Sequence, residues 1–191
     1  MKDLIDKGFD VNSNYSEHNT LPLHDAVSCS LEITSLLLNA GAEVDGTATS
    51  SGTALQMACR FARPEIRRPI VRLLLERGAN VNAQAGLTGT ALVSALKSRS
   101  DIMEETVRFL LDHGADVNQR DNEQSETAIA TAAGSADLSI LRLLLDCGAD
   151  PNSEGSGGRG NALINAILAS NEEATRLLLD RGADPNARVS C

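Results

Sequence analysis

The fold is decided by the phrase Leu4-Ile5-Asp6-Lys7-Gly8-Phe9-Asp10-Val11-Asn12, which returns five more times along the 191-residue chain. The second copy reads Leu37-Leu38-Asn39-Ala40-Gly41-Ala42-Glu43-Val44-Asp45, and later copies begin at Leu74, Leu110, Leu144 and Leu178. The glycines of the six copies lie 33, 37, 36, 34 and 34 residues apart. A near-constant period of this length predicts an array of stacked supersecondary units.

A second phrase precedes each of the last five copies. It reads Leu21-Pro22-Leu23-His24-Asp25-Ala26, then Thr53-Ala54-Leu55-Gln56-Met57-Ala58, and it returns at 90–95, 127–132 and 161–166. The phrase is expected to open a helix that the Thr caps. The leucine run of the first phrase then ends a second helix, which the glycine closes through a positive φ. Each unit is therefore predicted as helix, turn, helix and extended finger.

These phrases resemble the ankyrin repeat, a unit of about 33 residues with the signatures T-P-L-H-x-A and L-L-x-x-G-A-D-V-N. The resemblance implies an all-α solenoid of helix-turn-helix units with short β-hairpin fingers, and a non-catalytic role in binding other proteins. It covers essentially the whole chain, read as one domain over 1–191. That domain comprises a partial unit and finger at 1–20, then units at 21–52, 53–89, 90–126, 127–160 and 161–191. The Gly-Thr-Ala-Leu-Gln form at 52–56 is similar to ankyrin arrays common in fungi.

One departure from the family pattern concerns the contacts between neighbouring fingers. Only the first unit keeps Pro22 and His24, and Leu21 there replaces the Thr of the signature. In ankyrin repeats that His ties together the backbone of neighbouring fingers. The position holds Gln56, Val93, Ala130 or Ile164 in the remaining units. Those units are expected to hold their fingers in another way.

Composition excludes several classes of protein. Aromatic residues make up 2% of the chain, which disfavours nucleic-acid folds that stack bases on aromatic rings. The net charge of −9 has the wrong sign for a protein held mainly by phosphates. The four cysteines are scattered and read as free thiols in a reducing compartment, and no apolar run is long enough to span a membrane. An intracellular protein of the cytoplasm or nucleus is expected.

The sequence contains no arrangement of residues typical of a phosphate loop, a metal site or a catalytic site. The glycine-rich stretch 155–160 lacks the Gly-Lys-Ser/Thr ending of a phosphate loop and is interpreted as a flexible hairpin. His18, His24 and Cys29 are close in sequence, yet His24 occupies the structural position of the family. With three His in the chain, no Ser-His-Asp or Cys-His arrangement is apparent. Catalytic residues, metal ligands and cofactors are therefore not expected.

The resemblance indicates where a protein partner would bind. In this fold the first helices and the finger tips line a concave groove. One position of the first helices points into it, and the neighbouring turn and fingers add further candidates. They are Asp25, Met57, Ser94, Thr131 and Asn165, with Arg60, Phe61 and Lys97, and Tyr15, Leu87 and Arg120 on the fingers. Met57, Arg60 and Phe61 form the best anchor, unless the adjacent insertion turns Phe61 inward to pack as core.

That insertion is basic within an acidic protein. It runs from Arg60 to Pro69, and six arginines fall between residues 60 and 77 against Glu65 and Glu76. Arg63, Arg67, Arg68 and Arg72 form the hypothetical basic patch. One interpretation is docking of an acidic peptide or phosphate. The other is pairing with Asp101, Glu104 and Glu105 of the next insertion, which would add little stability. Nucleic-acid or acidic-lipid binding by the patch is opposed by the overall charge.

The array begins and stops within a unit, and Leu163, Ile164, Ile167 and Leu168 spread around the last first helix. The chain is therefore expected to be a monomer or part of a longer array, or to have its ends covered by a partner. A short natural protein with frayed ends is the alternative. A second functional hypothesis is a scaffold segment of a larger ankyrin-containing protein, such as one linked to an NTPase.

Overall fold

The computed structural model describes residues 10–14, 20–48, 52–86, 89–98, 103–120, 127–135, 137–153 and 161–186. Within these ranges the chain folds into five helix pairs. They are α1 (Pro22–Cys29) and α2 (Leu31–Asn39), α3 (Ala54–Phe61) and α4 (Pro64–Glu76), α5 (Ala91–Leu96) and α6 (Met103–Asp112), α7 (Ala128–Ala133) and α8 (Leu138–Asp146), and α9 (Ala162–Leu168) and α10 (Glu172–Asp180). The predicted helix-turn-helix units are confirmed.

The helices form two layers. The first helices α1, α3, α5, α7 and α9 stack on one another in chain order, and each also packs on the second helix of its own pair. The second helices α2, α4, α6, α8 and α10 form the other layer. Between the first two units lies a short antiparallel hairpin, in which β1 (Thr47–Ala48) pairs with β2 (Gly52–Thr53) and Thr47 lies opposite Thr53.

Local signals in the sequence set the helix ends. Thr53, Thr90 and Thr127 each accept a hydrogen bond from the backbone N–H three residues on, and Asn161 caps α9 in the same way. α1 lacks such a cap because Leu21 stands at that position. At the other end of each unit the glycine closes the second helix, as at Gly114, where φ is +85° and the following amide of Ala115 reaches Leu110 O at 3.0 Å.

A continuous core runs through all five pairs. The second helices contribute buried leucine and isoleucine side chains such as Leu74, Leu110 and Leu144. The first helices contribute an alanine at one repeated position, Ala58, Ala95, Ala132 and Ala166, each at most 2% exposed. Because alanine is small, neighbouring first helices approach closely, and the leucine stripe of each unit is buried by its neighbours.

Asparagine side chains join consecutive units along the fingers. Asn82 donates from Nδ2 to Gly114 O (2.9 Å) and accepts at Oδ1 from the backbone N–H of Asp116 (2.8 Å). The same pair of bonds is made by Asn12, Asn118 and Asn152 to the unit that follows each. Asp45 holds this position in one copy and only accepts, from the backbone N–H of Asn80 at 3.1 Å.

His24 and Gln56 make the second kind of bond between units. The His24 Nε2 donates to Gly52 O at 3.0 Å, as the family pattern implies. Gln56 likewise bonds the following finger in the next unit, because its Nε2 donates to Ala83 O at 3.1 Å and to Gly89 O. Its Oε1 also accepts from Thr53 N at 2.7 Å, which completes a capping box on α3.

The basic insertion lengthens one second helix. α4 has 13 residues, whereas α2, α6, α8 and α10 have nine or ten. The part of the insertion from Pro64 to Pro69 forms the start of α4, and Pro64 is a favourable residue for a first helical position. Pro69 stands inside the same helix, where it removes one backbone donor. That part of the insertion thus joins the second-helix layer.

Candidate functional site

One side-chain position of the first helices, four residues after each cap, carries Asp25, Met57, Ser94, Thr131 and Asn165. Asp25 is exposed, whereas Met57, Thr131 and Asn165 are half-buried and Ser94 is fully buried. The Asn165 amide donates to Ala130 O at 3.0 Å, so it helps to hold α9 against α7. From α1 to α9 this position therefore carries an acidic side chain, then a methionine, then three polar uncharged side chains.

Phe61 lies on the surface at the end of α3, with 52% of the residue exposed. The chain turns at Ala62, which is 1% exposed, so the alanine occupies the interior beside Phe61. The Arg60 guanidinium carbon lies 5.2 Å from the centre of the Phe61 ring, a cation–π distance. Met57 stands one turn earlier on the same helical face. Of the two interpretations of Phe61, the structure has the exposed one.

Three cations lie on α3, on the turn that follows it, or at the end of the neighbouring α5. Arg60 and Lys97 occupy the same position, seven residues after the cap, on first helices that pack against each other. Arg63 is exposed immediately before α4. Among the described residues, no carboxylate forms an ion pair with any of the three. These groups remain able to bind an anion.

Arg67 is in the interior, only 3% exposed. Its Nε and Nη2 donate to Ala62 O at 3.2 and 2.9 Å, and its Nη1 donates to Ser98 Oγ at 3.1 Å. Burial lowers the pKa of Arg67 and raises the pKa of the adjacent Cys59 thiol to about 12. Arg67 therefore joins the α3–α4 turn to the end of α5, and it is inaccessible to a docking partner.

The next two arginines along the chain, Arg68 and Arg72, contact the following unit. Arg68 pairs with Glu105 of α6, and the Arg72 guanidinium carbon lies 5.8 Å from the ring centre of Phe109. Beside them Glu104 accepts from Ser139 Oγ at 2.8 Å and from Arg108 at 2.9 Å, and these hydrogen bonds lower its pKa. Pairing across the unit interface, the second interpretation of the basic patch, is thus present at Arg68.

The finger residues are only partly described. Arg120 is exposed, and its carbonyl oxygen accepts from Gln84 Nε2 at 2.7 Å. Tyr15, Leu87, His18 and the stretch 154–160 lie outside the described residues. In the part of the chain that the structure covers, no three His, Cys, Asp or Glu side chains converge as a metal site. No helix there is long and apolar enough to cross a lipid bilayer.

Comparison with protein families gives two overlapping matches. The family described as "Ankyrin repeats (3 copies)" matches residues 46–121 and 103–189. Together the matches span 144 of the 191 residues. A search of curated proteins gave no match.

Proposed function

The chain belongs to the ankyrin repeat family, whose members generally bind other proteins, and we propose that it recognises a protein partner through its first helices and finger tips. Ankyrin repeats are typically non-enzymatic, so the proposed role is recognition without catalysis. We name the proposed contact region the groove surface and define it by Asp25, Met57, Arg60, Phe61, Arg63, Lys97, Thr131 and Arg120.

The observation that carries this proposal is the exposed Phe61 ring, flanked by Met57 and covered by the Arg60 guanidinium. Aromatic, methionine and arginine side chains are enriched at the centres of protein interfaces. Leaving a phenylalanine half in water forgoes burial that the fold achieves for most of its other large apolar residues. A partner that covers the ring would recover that free energy.

The groove surface differs from the set expected from sequence. Ser94 and Arg67 are buried, so they support neighbouring residues and are left out of the contact set. Asn165 is left out because it is half-buried and its amide donates to Ala130 O. Arg68 and Arg72 are left out because both contact α6. Tyr15 and Leu87 stay in the proposal as finger-tip contacts on sequence grounds alone.

The proposal is tested by quantitative affinity capture from the native cell, comparing the wild-type chain with Met57→Glu/Phe61→Glu. The control is Leu179→Glu on α10, a leucine that is 42% exposed in the second-helix layer. We expect a protein that the wild type and the control retain and the double variant loses, with helical content unchanged by circular dichroism. Equal capture by all three chains would count against the groove surface and favour a scaffold role.

We also propose that the protein acts inside the cell, in the cytoplasm or nucleus, without inserting into a membrane. Cys29 and Cys147 are exposed free thiols, which suits a reducing compartment. Thiol labelling in intact and permeabilised cells tests this: labelling only after permeabilisation is expected, and labelling of intact cells contradicts it.

A further inference from the structure

We propose that the partner presents an extended acidic segment to the groove surface, with two carboxylates three residues apart and an apolar side chain placed against Phe61. This inference rests on the proposed function and names the chemistry of the partner. Three observations support it. Arg60, Arg63 and Lys97 form no ion pair among the described residues, Arg60 and Lys97 have a defined spacing, and the first helices carry few exposed apolar side chains beside Met57.

The cations are the first support. The chain carries a net charge of −9, and several of its arginines are already neutralised locally. Arg68, Arg108 and Arg181 each pair with a carboxylate of the chain. Arg60, Arg63 and Lys97 have no such pair among the described residues. Arg60 lies over the exposed Phe61 ring, Arg63 follows it by two residues, and Lys97 lies at the end of the neighbouring α5. Carboxylates of a partner would form charge-assisted hydrogen bonds with them.

The spacing of Arg60 and Lys97 sets the spacing of those carboxylates. The two residues hold equivalent positions on α3 and α5, which pack side by side. Packed helices lie about 8–10 Å apart. An extended peptide in the polyproline II conformation has three residues per turn and advances about 3.1 Å per residue, so carboxylates three residues apart lie on the same face and are separated by about 9 Å. The expected pattern is therefore Asp/Glu-x-x-Asp/Glu.

The polarity of the first helices favours an extended peptide over an amphipathic helix. A bound helix needs a continuous apolar stripe, with anchors at i, i+3, i+4 and i+7. From α1 to α7 the first helices offer one large exposed apolar site, Phe61 beside Met57, and the next large exposed apolar side chains on a first helix, Ile167 and Leu168, lie further along the stack on α9. Lys97 lies at the end of α5, the first helix that follows α3 in the stack. The segment is thus expected to run from α3 towards α5.

The inference is tested by panning a random dodecapeptide display library on the wild-type chain at about 0.1 M salt, where surface charges still act over roughly 10 Å. Parallel panning uses Arg60→Glu/Lys97→Glu, Phe61→Ser and the matched control Arg77→Glu/Arg142→Glu. The control makes the same charge change at two exposed arginines of the second-helix layer. Thermal melts by circular dichroism establish that each variant is folded.

We expect the wild type to enrich peptides with two Asp or Glu three residues apart beside a large apolar residue. The best peptide, measured by fluorescence anisotropy, should bind Arg60→Glu/Lys97→Glu at least about tenfold more weakly and the control equally well. The charge-reversed variant should itself enrich Lys and Arg.

Other outcomes overturn the inference in distinguishable ways. Peptides that need Phe61 and show no acidic excess would overturn the acidic partner and leave the proposed function standing. Peptides that bind Phe61→Ser as well as wild type would count against both. No enrichment, or equal binding of a single-stranded dT12 oligonucleotide, overturns the acidic peptide and leaves the capture experiment to decide the proposed function.

Discussion

His24 is fully buried inside the first unit, where one ring nitrogen has a hydrogen-bond partner and the other has none among the described residues. Its Nε2 donates to Gly52 O, which leaves Nδ1 as an acceptor without a hydrogen bond. Burial lowers the pKa of this imidazole below its usual 6.5. The folded chain therefore holds His24 neutral, whereas the unfolded chain binds a proton as the pH falls through about 6.5.

The first prediction concerns the pH dependence that follows. The stability that neutral His24 contributes is complete above pH 6.5 and is lost as the pH falls towards the lowered folded pKa. His24→Gln copies Gln56 of the next unit. We expect its free energy of unfolding to rise relative to that of wild type as the pH falls below 6.5, by at most about 1.4 kcal/mol per pH unit. Urea unfolding of both chains at pH 7.5 and 5.5 measures this. A constant difference between the two chains contradicts it.

The second prediction separates two adjacent arginines. Arg67 is buried and makes three fork-shaped hydrogen bonds, whereas its neighbour Arg68 makes a surface ion pair. Lysine cannot reproduce the fork, so Arg67→Lys should reduce the free energy of unfolding by about 1–3 kcal/mol. Arg68→Lys, the matched control, should change it by less than about 1 kcal/mol. Equal losses from the two variants in urea unfolding would falsify the assigned roles.

At the scale of the elements, the fingers are joined by repeated asparagine bonds with one weaker junction. Asn82, Asn118 and Asn152 each donate to a glycine carbonyl and accept from a backbone amide of the next unit. Asp45 lacks the donor, so it offers no partner to Gly78 O and only accepts from Asn80 N. The junction between the first two helix pairs therefore has one fewer of these bonds.

The third prediction restores the missing bond. Asp45→Asn should raise the free energy of unfolding by about 1 kcal/mol, because the amide can donate to Gly78 O as well as accept from Asn80 N. The opposite change, Asn118→Asp, should lower it by a similar amount. Thermal and urea unfolding of the two variants give the comparison. Changes of the same sign in both variants are incompatible with this account.

At the scale of the whole molecule, each unit contacts its neighbours along a stack, so stability is approximately a sum of unit and nearest-neighbour terms. The long α4 adds contacts at one junction, where Arg67, Arg68 and Arg72 all contact the following unit. Asp45 weakens the junction before it. Stability is therefore expected to vary along the array.

The fourth prediction follows from that variation. Asp45→Asn should slow amide hydrogen exchange mainly in α1 to α4, whereas Asn118→Asp should speed exchange mainly in α5 to α8. Native-state exchange read by mass spectrometry of peptic fragments resolves the two regions. Uniform changes across all ten helices would instead mean that the array opens as one cooperative unit.

The repeating unit can be read from the sequence alone, because its signals act within a few residues. A cap such as Thr90 and a glycine such as Gly114 need only the neighbouring backbone to define a helix end. The near-constant spacing of the copies then predicted the stack, and the position of Met57 on a first helix followed from the same register.

Which side chains belong to the groove surface depends on packing between units, which no local sequence pattern reveals. The exposure of Phe61 depends on the turn that buries Ala62 in its place, and the burial of Arg67 and the pairing of Arg68 depend on contacts with residues 31 and 37 positions away. The same is true of Gln56, whose donor reaches Gly89 O in place of the histidine bond. A local pattern shows which side chains an insertion carries. Which of them are buried depends on how the next unit packs against it, since that contact alone fixes the space and the hydrogen-bond partners each side chain receives.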